Sequence, residues 1–311
     1  MVKVSDIAYV RLRSPDLDLQ EKFLLDFGMQ RSARTEKALY MRGTDPAHHI
    51  HITEQGEPGL IGMGFYVQTE AELHDAAQIE GASPVEDIDE PGGGKRVRLR
   101  EPNGYLIEII HGVEQLAPIP VEPNTMNWGE DRGIRVGDEK RLAPGPSRVK
   151  RIGHCVFAAP DQKTTLAWFN KNLGLVNSDV YYAGDENNVV ATFARVDRGE
   201  DYVDHHALFC TGGAHAGLNH IGFEVQDIDD IAVGHDYLKA KGYEHAWGIG
   251  RHLSGSQVFD YWLDPWKRLH EHWTDTDLLN NKNQTHVMPI SQLRSQWGEP
   301  APAWFAKHIS A

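Results

Sequence analysis

The chain has little cysteine: only Cys155 and Cys210 in 311 residues. That excludes a disulfide framework and a cysteine-rich zinc site, and it fits a reduced cytoplasm. Positive charge is also scarce, with 31 Lys and Arg against 45 Asp and Glu, a net charge of −14. Nucleic acid and anionic membrane surfaces are poor partners for such a chain. No apolar run approaches membrane-spanning length, and the opening residues MVKVSDIAYV lack the layout of a signal peptide. The Gly-rich PGGGKR, Pro91 to Arg96, lacks P-loop spacing and a following helical pattern, so it is not read as a phosphate site. Histidine, by contrast, is plentiful at 17 residues, most of them expected to be ordinary surface or core groups.

The length suits two domains. Residues 5–13 alternate like a strand. The next segment has Ser14 and Pro15 as start signals, an apolar stripe of Leu17, Phe23, Leu24 and Phe27, and Gly28 as a stop, which predicts a helix. Further strands are expected at Ala38–Arg42, His48–Thr53, Gly62–Gln68, Arg96–Arg100 and Tyr105–His111, with a helix around Glu70–Glu80. The Pro-rich stretch Gln115 to Asn124 reads as an extended linker.

After the linker the pattern returns. DIAYVRLRSPD from Asp6 is matched by RIGHCVFAAPD from Arg151. Ala47–Ile52 is matched by Asp204–Phe209, Gly59–Gln68 by Gly217–Gln226, and Glu101–Ile109 by Asp264–His272. Each copy reads as two successive β-α-β-type modules whose strands form one curved sheet. The copies differ where chemistry could sit. His154 stands opposite Tyr9 in the alignment, and His220 opposite Gly62. Glu271 matches Glu108, each six residues after a proline.

Only the second copy therefore holds two His and one Glu. His154 alternates with Ile152 and Val156, His220 lies between Leu218 and Gly222, and Glu271 shares a strand face with Leu269 and Trp273. Singly, each would more often be a hydrogen-bonded core residue. A carboxylate on an apolar face is costly unless paired or metal-bound. Three such groups at corresponding places of one repeat suit a divalent metal, Fe(II), Mn(II) or Zn(II), with open coordination positions. Cys155 points to the other side of its strand and does not join. The stretch Gly250–Trp273 reads as a two-stranded hairpin whose turn, LDPWKR, separates Tyr261 from Glu271.

With these residues the chain resembles the type I extradiol ring-cleavage dioxygenases of the vicinal oxygen chelate superfamily, over about Val4 to Asp277. Gly250-Arg251-His252, Tyr261, Asp264-Pro265 and Glu271 match the family signature around the last ligand. Asp260, in place of an apolar residue, and Lys267, in place of Gly or Pro, depart from it and bear on substrate subtype. The resemblance implies an α+β fold of paired βαβββ modules, with a metal-free N-terminal domain (1–135), a metal-binding catalytic domain (146–280) and a tail (281–311). It implies Fe(II), ahead of Mn(II), on His154, His220 and Glu271. It implies His206 as acid/base, with His252 and Tyr261 bonding to substrate oxygens. His205 and His206 share an expected strand whose alternation admits only one of them to the site, and copy one has His48 and His49 at the same place. The implied partners are a small aromatic diol and O2, in a cytoplasmic enzyme that is expected to be a homo-oligomer. Three other readings are weighed: an oxygenase of the 4-hydroxyphenylpyruvate kind, a lyase or epimerase of the glyoxalase kind, disfavoured because those usually draw ligands from paired modules that both retain them, and a non-catalytic small-molecule binder. Trp262, Trp266 and Trp273 are expected to pack the second domain, with a place in the substrate pocket open to one of them. Arg251, Lys267 and Arg268 are read as solvated turn residues, and the tail as a cover for the site or a subunit interface.

Overall fold

The computed structural model describes residues 2–122 and 125–310; Pro123 and Asn124, the last two residues of the expected linker, lie outside the described residues. The first half runs β1 (Asp6–Ser14), α1 (Leu17–Phe27), β2 (Gln30–Arg34), β3 (Ala38–Arg42) and β4 (His51–Gln55). It continues with β5 (Gly59–Tyr66), α2 (Glu70–Ala76), β6 (Glu86–Asp87), β7 (Lys95–Arg100) and β8 (Leu106–His111). Its sheet order is β2-β3-β4-β1-β5-β8-β7-β6. β1 pairs parallel with β4, β5 pairs parallel with β8, and the two sets join through antiparallel β1 and β5. These are two βαβββ modules in one sheet.

The second half repeats the plan with β9 (Val149–Ala159), α3 (Gln162–Leu173), β10 (Val176–Tyr182), β11 (Val189–Arg195), β12 (Val203–Asp204) and β13 (Leu208–Gly212). Then come β14 (Gly217–Val225), α4 (Ile228–Ala240), β15 (Glu244–His252), β16 (Val258–Leu263) and β17 (Leu269–Thr274). β18 (Leu278–Leu279) pairs with β12, while β19 (His286–Pro289) and β20 (Ser295–Trp297) add to the two edges of the sheet. The order is β19-β10-β11-β13-β9-β14-β17-β16-β15-β20. The tail is thus woven into the second sheet. The class is α+β, as the sequence implies.

Local chemistry sets the same punctuation in both halves. α1 starts where the Asp16 carboxylate accepts from the Leu19 amide, one residue past the Ser14–Pro15 signal, and it stops at Gly28, with φ 112°. α3 is capped likewise by Asp161 and ends at Gly174, with φ 70°. α2 has a Thr69/Glu72 capping box and ends at Ala76, short of the expected Glu80. β2 escapes sequence reading because QRSAR is a polar edge strand. β4 begins at His51, so His48 and His49 precede it.

One apolar core serves both halves. It gathers Val10 and Leu12 of β1, Phe23 and Phe27 of α1, Phe157 of β9, Phe169 of α3, Phe223 of β14 and Trp262 of β16. The sheets therefore stand back to back with helices between them. Phe27 packs edge-on to Phe223 and stacks on His272 at 3.7 Å, carrying α1 onto the back of the second sheet. Burying one such Phe contributes roughly 1.5–3 kcal/mol. Arg268, expected in solvent, is buried in this seam. It pairs with Asp264 and donates to Arg13 O, Ser14 Oγ and Gln20 Oε1 at 2.7–2.8 Å. The concave face of each sheet is left pointing away from the other half, and there the two copies differ.

Candidate metal centre

Three neighbouring strands, β9, β14 and β17, build the centre. Their register places His154 beside Gly222 and Gly222 beside Glu271, in one row across the sheet. Gly222 keeps the row open: a Cβ there would lie 2.3 Å from the His154 ring. The ladder slips between Ile152 and His154, so the expected alternation fails at Gly153. Ile152 turns into the shared core, while His154 and Val156 face the concave side. The irregularity aims His154 inward.

His154 Nε2 lies 2.8 Å from Glu271 Oε2, and His220 Nε2 lies 3.4 Å from the same oxygen. All three side chains are buried. His220 Nδ1–H donates to Asn219 Oδ1 at 2.7 Å, which leaves Nε2 as the bare nitrogen turned to Glu271. Asn219 in turn donates to Phe305 O and His308 O of the tail. Burial alone would raise the Glu271 carboxyl, but His154, His220 and His252 outweigh it and hold it well below the usual range. Burial pushes His220 down to about 4, against the pull of Glu271, so the ring is neutral near pH 7. Glu271 Oε1 and His154 Nδ1 are buried without a hydrogen-bond partner. Two imidazoles and an ionised, under-satisfied carboxylate fit a first-row divalent ion.

The hairpin around this row is larger than expected. Gly250–Trp273 contributes three strands: His252 ends β15, Tyr261 lies in β16 and Glu271 in β17, with Tyr261 directly opposite Glu271. His252 Nε2 and Tyr261 OH are 2.9 Å apart, and His252 Nε2 is 3.6 Å from Glu271 Oε1. Burial and the nearby Glu271 raise the Tyr261 hydroxyl well above 10, so it keeps its proton.

His205 and His206 sit in a bend between β12 and β13, not on a strand. The two rings still part. His206 packs 4.3 Å from the His154 ring and lines the cavity, whereas His205 turns to Asp179, with Nε2 to Oδ2 at 3.2 Å. Their Nδ1 atoms are 3.1 Å apart. With His205 Nε2–H donating to Asp179, His205 Nδ1 accepts from His206 Nδ1–H, and His206 Nε2 becomes the acceptor facing the site. Burial, with His154 and His205, holds His206 well below 6.5.

A cavity of about 170 Å³ connects these groups, with Val156, Phe193, Phe209 and Trp247 in its walls. Leu293, Arg294 and Phe305 of the tail close it. Among the tryptophans, Trp262 and Trp273 are packed as expected, but Trp247 is the one that lines the cavity. Asn219, Asp179, Trp247 and Phe305 were not singled out from sequence. Asn219 carried a signal, as a polar residue beside His220 in an apolar strand; the others come from distant segments.

A model of the Glyoxalase/Bleomycin resistance protein/Dioxygenase superfamily matches residues 151–267. The chain is similar to metapyrocatechase 2 of Cupriavidus necator, 27% identical over 318 residues that cover 99% of this chain and 93% of that protein. It is similar to biphenyl-2,3-diol 1,2-dioxygenase of Sphingomonas paucimobilis, 25% identical over 275 residues, covering 85% and 86%. In fold it is similar to homoprotocatechuate 2,3-dioxygenase of Brevibacterium fuscum, with a TM-score of 0.82 at 20% identity, covering 99% and 93%. A Mn(II)-bound glyoxalase of Novosphingobium aromaticivorans superposes with a TM-score of 0.81 at 21% identity, covering 100% and 96%.

Proposed function

We propose that this chain, a member of the glyoxalase/bleomycin resistance protein/dioxygenase superfamily through residues 151–267, is an extradiol ring-cleaving dioxygenase. The reading is that it opens a catechol-type ring beside its diol, with both atoms of O2 entering a muconic semialdehyde-type product. The observation that carries it is the convergence of His154, His220 and Glu271 with His206, His252 and Tyr261 on one apolar cavity. The names of the curated relatives, metapyrocatechase and biphenyl-2,3-diol dioxygenase, support the same substrate class.

His154, His220 and Glu271 would hold the metal, Fe(II) ahead of Mn(II). When bound, the ion supplies a meeting point for diol and O2 and a path for electrons between them. The chain's own groups do the rest. Tyr261, kept protonated, donates to a substrate oxygen, and His252 fixes that hydroxyl from 2.9 Å. His206 takes or returns a proton at Nε2 while His205 and Asp179 hold its far side. The apolar walls exclude water and orient the ring. An apolar cavity of about 150 Å³ accepts benzene, so the 170 Å³ here suits a single ring. The same reading makes the protein a cytoplasmic homo-oligomer acting on a small diol.

The test is oxygen uptake by Fe(II)-loaded protein with catechols, followed with the visible absorbance of the ring-opened product. One O2 consumed per diol, absent in Glu271→Gln, is the expected result. No uptake with any monocyclic or bicyclic catechol would overturn the reading.

A further inference from the structure

The second half holds another pair of imidazoles with a carboxylate, on the back of the sheet that carries the first. Asp260 lies in β16, one residue before Tyr261, with its side chain on the shared-core face and fully buried. His235 of α4 places Nδ1 3.2 and 3.1 Å from the two Asp260 oxygens. His245 of β15 places Nε2 2.8 Å from Oδ1. One ligand atom from each residue lies within 4.8 Å of the others. Bonds of ~2.0–2.2 Å to a divalent ion put adjacent ligand atoms about 3 Å apart, close to the distances from Asp260 to each imidazole. Trp262 Nε1–H donates to Asp260 Oδ2 at 2.6 Å and fixes the carboxylate from behind. The His side chains are 17% and 31% exposed, so the cluster opens to water on one side and an ion can enter.

The fold does not need a carboxylate here. At the same register of the first half the paired residues are Val97 and Ile109, both fully buried, where the second half has Asp260 and His272. A buried carboxylate is costly unless it is paired or coordinated.

We propose that His235, His245 and Asp260 form a second divalent-cation site, of the Zn(II) type, that ties α4 to β15 and β16. Two imidazoles, one carboxylate and a water complete a tetrahedral set for Zn(II). The strands so clamped carry His252 and Tyr261, so the ion steadies the hairpin behind the cavity.

The experiment is Zn(II) titration by calorimetry on metal-free protein. The wild type is expected to bind two equivalents, and His245→Gln one. Glu271→Gln is expected to keep one equivalent, along with a thermal midpoint that rises on adding Zn(II). The double variant Glu271→Gln/His245→Gln should lose both responses. Asp260→Asn, which keeps the Trp262 bond, should match His245→Gln and so guards against a folding defect in either variant. One equivalent in both wild type and His245→Gln would overturn the proposal, as would two in both. The outcome is independent of ring cleavage, because no readout uses a substrate.

Discussion

The two halves meet the same problem, a buried glutamate on the concave face, and solve it differently. Glu108 and Glu271 occupy equivalent registers, beside Gly64 and Gly222. Glu108 accepts from Tyr9 OH at 3.0 Å, from Arg11 Nε at 2.9 Å and from Arg96 Nη1 at 3.0 Å. Arg11 also pairs with Glu54 and Glu90, and these carboxylates, against the effect of burial, keep its guanidinium firmly charged. In the second half Val156 and Phe259 stand where Arg11 and Arg96 do, and no guanidinium reaches Glu271 among the described residues. The first half carries its counter-cations covalently as Arg11 and Arg96, and the second sets His154 and His220 beside its glutamate instead. The change extends to the backbone. A Cβ on Gly62, the counterpart of His220, would lie 1.8 Å from Leu106 O, so a histidine no longer fits there.

The strongest way to break this comparison is to neutralise each glutamate. Glu271→Gln is expected to lose iron and activity together, because removing one of three ligands dismantles the site. Glu108→Gln should keep both and lower the thermal midpoint. Breaking a buried ion pair costs about 3–5 kcal/mol, and the low end is expected because Arg11 retains Glu54 and Glu90. Iron by plasma emission and a melting curve decide; metal lost from the Glu108 variant and kept in the Glu271 variant would put the site in the wrong half.

Catalysis separates the histidine pairs next. His206→Phe should keep its iron and lose roughly 100-fold in turnover, the usual worth of a positioned acid/base. His205→Phe should lose less, since it acts through His206 Nδ1. His49→Phe, at the equivalent place in the first half, should leave turnover unchanged. Steady-state rates beside metal content separate the three.

The paired glycines sharpen the point. A Cβ on Gly64 would meet the Tyr9 ring at 2.6 Å, as one on Gly222 would meet His154 at 2.3 Å. Gly222→Ala should weaken metal binding roughly tenfold or more, as displaced supporting groups do. Gly64→Ala should affect only stability. Competition with a chelator measures the difference.

The smallest effect concerns the seam. Asp6 and Arg151 are repeat-equivalent residues of opposite charge that line one cleft between the halves. Burial raises Asp6 to about 7, with Arg151 opposing and Asp204 adding to the rise. The folded state then holds a proton that the unfolded state releases near pH 4, so stability declines as pH rises from about 4 to 7. Asp6→Asn should raise the thermal midpoint slightly at pH 8 and leave it unchanged at pH 4.

Much of this was legible because one copy serves as the control for the other. Tyr9 and Gly62 flagged His154 and His220, and the two Pro-to-Glu spacings flagged Glu271. What stayed hidden was long-range or irregular. The slip at Gly153 defeats a period-two reading of Ile152. Asp204–Phe209, DHHALF, runs into apolar residues and passes for one strand, yet the chain bends at His205 between β12 and β13. Arg11 looks like any strand residue until Glu108 is beside it. His235, His245 and Asp260 come from three elements, and no local pattern joins them. The tail strands have no periodicity of their own, since open sheet edges recruit them.

The back-to-back core has a consequence for how such a duplicated chain can change over time. The first half has Tyr9 and Gly62 where the second has two histidines, yet it cannot be dispensed with. Without the first half, the back of β14 would present Phe223 to water, His270 and His272 of β17 would lose the Phe27 ring, and the Arg268 guanidinium would lose three of its acceptors. An exposed apolar face of that kind invites aggregation. The first half therefore serves as the cover for the convex face of the second. Its concave face can take substitutions without touching that packing, whereas its convex face cannot.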